Sequence, residues 1–182
     1  MLLPRTMLFL SRFKRDRKGT AAIEFGVVAV PFFLLLFAIF DISLMFFANT
    51  TLENGIIAAA RQIRTGQAQA SNMTEAQFRS MVCNEINMLL SCDAQLGLDV
   101  RRYDGFGNAQ FAPGVDGNGN LSGDMRFEPG GAGDVVVVRA FYAWPMTTPV
   151  VGDAFNNMSN GRRLLESTIA FRNEPFNGPI QN

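Results

Sequence analysis

From Phe25 to Phe40 the chain runs sixteen residues without a charged or strongly polar side chain, and after Asp41 and Ser43 the apolar character resumes through Ala48. Read as one helix, residues 25–48 are 24 residues, about 36 Å long and able to cross a hydrocarbon core of about 30 Å. Six bases precede the run, Arg5, Arg12, Lys14, Arg15, Arg17 and Lys18, with Asp16 against them. Such a basic flank stays in the cytoplasm and sends the other end across the membrane. The sixteen bases and sixteen acids cancel overall, yet beyond Lys18 ten bases face fifteen acids. An acidic body argues against a nucleic-acid partner, and 182 residues leave room for one domain of ordinary size beyond the anchor.

A cleaved secretory signal is the competing reading of the same run. Phe46-Phe47-Ala48 puts a bulky ring where signal peptidase needs a small residue, Ala58-Ala59-Ala60 lies well beyond the run, and no lipoprotein-type Cys follows. A retained helix is expected. Pro31 removes one backbone hydrogen bond and should bend it, which a membrane helix tolerates when neighbours satisfy the freed carbonyl. Asp41 lies seventeen residues beyond Glu24, about 25 Å along the axis. With Glu24 at the cytoplasmic edge, Asp41 reaches the far edge, where a carboxylate costs well below the roughly 2.5–3.5 kcal/mol of the bilayer centre. Two roles are open to this intramembrane acid: an interface marker, or a polar contact with a partner helix.

Residues Arg17-Lys18-Gly19-Thr20-Ala21-Ala22-Ile23-Glu24-Phe25 set a small residue after bases, then an acid, then an unbroken apolar helix. This segment resembles the type IV pilin family, whose precursors are cut by prepilin peptidase. The resemblance implies cleavage after Gly19, where a residue without a side chain lets the backbone enter an extended cleft. Thr20 then carries a new α-ammonium, Glu24 is the fifth residue, and Phe25 opens the span. Glu24 in apolar surroundings is expensive unless it meets a cation, which the ammonium of an adjacent subunit supplies.

Several further stretches are similar to the TadE-like family, minor pilins or pseudopilins of tight-adherence (Tad/Flp, type IVc) pilus systems. They are Gly19–Phe25, the span with its acid at Asp41, Ala59-Ala60-Arg61-Gln62-Ile63-Arg64-Thr65-Gly66-Gln67, the pair Cys83 and Cys92, and Arg172-Asn173-Glu174-Pro175-Phe176. The central Gly-rich stretch matches nothing in the family. The resemblance implies a subunit needed for pilus biogenesis and surface adherence, held as a single pass in a bacterial inner membrane, with its N-terminus cytoplasmic and its C-terminal domain periplasmic or, once assembled, outside the cell. Its implied partners are the prepilin peptidase, other pilins and pseudopilins, the inner-membrane assembly platform and the lipid bilayer. A permanently membrane-anchored periplasmic binding or adhesin module, never entering a filament, is the alternative.

This gives three regions: a basic cytoplasmic leader (1–19), a long helix (20–66) containing the span at about 25–48, and a periplasmic α+β domain (67–182). In the helix beyond the membrane, Leu52, Ile56, Ala59, Ala60 and Ile63 form an apolar stripe, with Arg61 and Arg64 elsewhere on the circle. Gly66 is the natural stop. Thr74-Glu75-Ala76-Gln77 reads as a capping box opening a second helix with Phe78, Met81, Val82, Ile86 and Leu89 on its buried side. Cys83 and Cys92 are nine residues apart, too far along a straight helix for a disulfide, so bonding requires the helix to end near Leu90 and the chain to turn back. Export to an oxidising compartment favours that bond. A redox or metal-binding pair is the alternative, against which stand the lack of Cys-x-x-Cys spacing and of any His.

Three runs have strand character: Leu96, Leu98 and Val100 in alternation; Val135–Trp144; and Ser167–Phe171, which Arg162–Glu166 can open. They predict a small antiparallel sheet packed on the helices, with Pro145 and Pro149 ending the central strand. Residues 104–133 hold nine glycines and read as a long exposed loop. In it Asp116, Asn118, Asn120 and Asp124 match part of a calcium-loop template, but Leu121 stands where Gly is required and Phe127 where the bidentate Glu belongs. A solvated turn is the reading preferred to calcium.

An enzyme needs a nucleophile with a base, a metal cluster or paired carboxylates. Histidine is absent and the acids beyond the membrane are scattered singly. No catalytic residue, metal, cofactor or small-molecule substrate is therefore expected.

Overall fold

The computed structural model describes residues 18–148, 152 and 154–176, so the basic leader 1–17 and Pro149 lie outside the described residues. Helix α1 (Lys18–Arg64) is a 47-residue run with Pro31 inside it. The chain divides into two units, Met1–Phe40 and Asp41–Asn182. In the first, residues 18–40 are helical and Ile23, Phe25, Val27, Leu35 and Phe40 are among its exposed apolar side chains. Among the described residues, α1 is the one helix long and apolar enough to cross a membrane.

The second unit is α+β. Its part of α1 buries Ala48, Leu52, Ile56, Ala59, Ala60 and Ile63, the predicted stripe extended by one turn, while Arg61 and Arg64 stay exposed. The helix stops because Gly66 takes φ +80°, a left-handed conformation that glycine adopts without strain. After a single turn, α2 (Gln67–Ala70), helix α3 (Glu75–Ile86) opens on the expected capping box. The Thr74 hydroxyl accepts from Gln77 N at 3.3 Å, and Thr74 N donates to Gln77 Oε1 at 2.8 Å. Phe78, Val82 and Ile86 of α3 are buried. Each such side chain, taken fully out of water, contributes roughly 1.5–3 kcal/mol.

Helix α3 ends at Ile86, four residues short of the predicted stop. Leu89 N and Leu90 N still donate to Ile86 O, so the chain turns through Leu90. That turn brings Cys92 back beside the helix, where it is bonded to Cys83 with their Cα atoms 5.7 Å apart.

The sheet is three-stranded and antiparallel, in the order β1 (Leu96–Tyr103), β2 (Val135–Pro145), β3 (Arg162–Arg172). Leu96 pairs with Tyr142 and Tyr103 with Val135; Val135 in turn pairs with Arg172 and Pro145 with Arg162. Arg162–Glu166 do open the third strand, and Pro145 stands at the end of the second, where a missing N–H costs no internal ladder bond. On one face Leu96, Leu98, Val100, Val136, Val138, Ala140 and Tyr142 join the helices in a single core.

The opposite face is buried too, which the reading of 104–133 as an exposed loop did not anticipate. Val135, Val137, Arg139 and Phe141 point away from the helices and are still buried. The Gly-rich segment covers them as a third layer. A Cβ at Gly97 would overlap Met125, and one at Gly114 would overlap the Phe141 ring, so both glycines permit close approach of layer to sheet. Val100 N donates to Arg126 O and Glu128 N to Val100 O, closing the β1 edge with a short parallel bridge. Phe127 packs its ring 5.4 Å from that of Phe78. One of the two residues that broke the calcium template thus packs against the hydrophobic core.

Candidate processing and assembly site

Gly19, Thr20, Glu24 and Phe25 all lie in α1 and all are exposed. A Cβ placed on Gly19 would meet nothing within 4 Å, and its φ lies outside the left-handed range. Among the described residues, neither packing nor backbone conformation calls for glycine there. Glycine in a helix is also unfavourable, by about 1 kcal/mol against alanine. Thr20 and Glu24 are one turn apart and so share a face of the helix.

Asp41 belongs to the second unit and is 5% exposed. Its Oδ2 accepts from Thr147 N at 3.2 Å and Thr148 N at 3.0 Å, and its Oδ1 accepts from Thr147 Oγ1 at 3.2 Å. These partners come from its own chain, in the segment just after β2. The two roles raised from sequence, interface marker and partner-helix contact, did not include this one. Nothing local to Asp41 could have signalled donors more than a hundred positions away.

The stretches Ala59–Gln67 and Arg172–Phe176 meet in space. Glu174 N donates to Arg64 O at 2.9 Å, and Arg64 Nη2 reaches Glu174 Oε1 at 3.0 Å. Phe176 lies against Gly66, and a Cβ at Gly66 would overlap its ring. Asn173 Nδ2 donates to Pro129 O and Gly131 O, tying the end of the Gly-rich layer to the same corner.

The acids of the Gly-rich segment have partners that the template did not foresee. Asp116 Oδ1 accepts from Asn118 N and Asn120 N, closing a turn on itself. Asp124 pairs with Arg101 and Arg126. Arg101 also pairs with buried Asp99, which accepts from Arg126 N, while buried Arg139 reaches Glu166 and lies over the Phe141 ring. These charges pin the layer to the sheet. Burial opposes the charge of Arg101, but Asp99 and Asp124 outweigh it and raise its pKa. The hydrogen bond and then the charge of Arg101 hold the Asp124 carboxyl below the usual range. Among the described residues, no three His, Cys, Asp or Glu side chains gather as a metal site.

Residues 19–61 match the family model described as TadE-like protein. The matched segment holds Gly19, Thr20, Glu24, Phe25 and Asp41 and ends within α1. No curated protein and no solved structure matches the chain.

Proposed function

We propose that this chain, TadE-like over residues 19–61, is a minor pilin or pseudopilin of a Tad-type pilus, made as an inner-membrane precursor and cut after Gly19 by a prepilin peptidase. The observation that carries the reading is Gly19 itself: a helix-disfavouring residue that the fold does not require, five positions before Glu24. A small residue between the bases and the apolar run is what the proposed protease site needs. Six bases ahead of the apolar run favour a cytoplasmic N-terminus, and the Cys83–Cys92 bond suits a head on the oxidising side.

In this reading the protein's chemistry is being cut, inserted and assembled. Removal of the leader gives Thr20 an α-ammonium. Glu24, exposed within the apolar segment, is the carboxylate that an adjacent subunit's ammonium neutralises, which fixes the register of one helix against the next. The partners are the peptidase, the other pilins and pseudopilins and the inner-membrane assembly platform, and the outcome is pilus biogenesis and surface adherence.

Glu24→Ala tests the assembly role. Cleavage, the disulfide and the head should remain normal, while pilus production or cross-linking to other pilins falls. Pili at wild-type levels would favour the permanently anchored module instead.

A further inference from the structure

The loop that grips Asp41 fixes one end of the head. Thr147 and Thr148 follow the last residue of β2, Pro145, by two and three positions, and they bond a carboxylate inside the apolar run 25–48. The start of β3 lies at the same end, since Pro145 pairs with Arg162 and Trp144 with Arg163. Arg163 Nη1 donates to Phe155 O at 2.9 Å, which places Phe155 there as well. Met45, Phe46 and Asn49 of α1 line one recess with Arg163, Leu164 and Leu165.

Apolar side chains at this end face outward. Phe46 is 64% exposed, Phe47 60%, Leu44 49% and Phe155 43%. Exposed apolar surface of this density marks a contact surface rather than a wetted one. Arg163 stands beside it, lining the recess with Phe46 and donating to Phe155 O. A guanidinium group beside exposed rings matches the layer where acyl chains meet phosphates.

We propose that this end of the head seats in the headgroup layer of an anionic bilayer, with the Phe155 ring at the acyl boundary, Arg163 at the phosphates, and Asp41 as the latch that holds the loop down. The inference rests on the reading of α1 as a membrane span. The loop cannot go deeper, because irregular backbone does not face hydrocarbon. Its Thr147 and Thr148 N–H groups are spent on Asp41, which also shields that carboxylate from lipid.

Trp144 is the sole tryptophan, so one reporter can be moved at will. The full chain carrying Trp144→Phe with Phe155→Trp is reconstituted in vesicles of phosphatidylcholine and phosphatidylglycerol, brominated either near the headgroup or near the acyl end. A companion chain carries Trp144→Phe with Phe37→Trp. Closure of Cys83–Cys92 against a thiol reagent checks the fold of each. The Phe155 reporter should lose emission to shallow bromines and little to deep ones or to aqueous iodide, and Asp41→Ala should abolish the shallow quenching. The Phe37 reporter should be quenched by deep bromines. If the Phe37 reporter behaves so but the Phe155 reporter responds to iodide alone, or to neither, the seat is overturned and the span stands. If deep bromines leave the Phe37 reporter unquenched, the span reading itself fails.

Discussion

Asp41 holds the backbone N–H groups of Thr147 and Thr148, at 3.2 and 3.0 Å, from 106 and 107 residues away in sequence. A buried carboxylate that accepts three hydrogen bonds has most of its acceptor sites filled, and removing it strands its donors. Asp41→Ala should therefore destabilise the head by roughly 1–3 kcal/mol, read as a lowered melting temperature in detergent. Asp41→Asn, which keeps one acceptor oxygen, should fall between. A melting temperature unchanged in Asp41→Ala would show that the loop does not depend on the carboxylate.

At the other end of α1, the Gly66 and Phe176 contact should outweigh the neighbouring ion pair. Gly66→Ala forces a Cβ into a left-handed residue and into the Phe176 ring, which should cost about 1–3 kcal/mol. Arg64 and Glu174 are about half exposed, so Glu174→Ala should cost about 1 kcal/mol or less. A double-mutant cycle checks the assignment: in a Phe176→Ala background Gly66→Ala should lose the steric part of its effect and keep the backbone part.

The bond between Cys83 and Cys92 predicts that the native protein offers no alkylatable thiol until it is unfolded and reduced. Closing so short a loop contributes on the order of 2.5–3 kcal/mol in the chain-entropy model. A Cys83→Ser, Cys92→Ser double variant should lose about that much against denaturant. Quantitative labelling of both native cysteines would instead point to a redox or metal role.

The charges that pin the Gly-rich layer carry a pH signature. Arg101 lowers the folded-state pKa of Asp124, so the folded protein binds that proton less readily than the unfolded chain does. Its contribution is complete above the ordinary carboxylate pKa of about 3.9 and is lost as pH falls through the lowered folded value. Side-chain NMR should place the Asp124 midpoint below the usual range and return it there in Arg101→Gln. A midpoint unmoved by that substitution would contradict the pairing.

What sequence alone reveals here follows from range. The stripe Leu52 to Ile63, the Thr74–Gln77 capping box and the three strands are local periodicities, and they fold as their spacing predicts. The stop of α3 at Ile86 is set by the turn that returns Cys92 to Cys83, a constraint that acts only once the bond forms. The third layer was hidden because its glycines read as freedom, whereas Gly114 is needed for close approach to Phe141. Arg139 and Asp99 would ordinarily mark solvent-facing strand positions, and only the layer above them explains their burial. The candidate segment Gly19–Phe25 is legible from its residue types and spacing alone, and among the described residues no packing contact calls for glycine at Gly19.

The central claim is cleavage after Gly19, and the N-terminal residue of the chain recovered from the membrane of cells containing the peptidase tests it most directly. The account predicts a chain beginning at Thr20, and a Gly19 variant with a bulky side chain that retains Lys18 and the bases before it. A wild-type chain that keeps those bases, or a bulky Gly19 variant still beginning at Thr20, would contradict it.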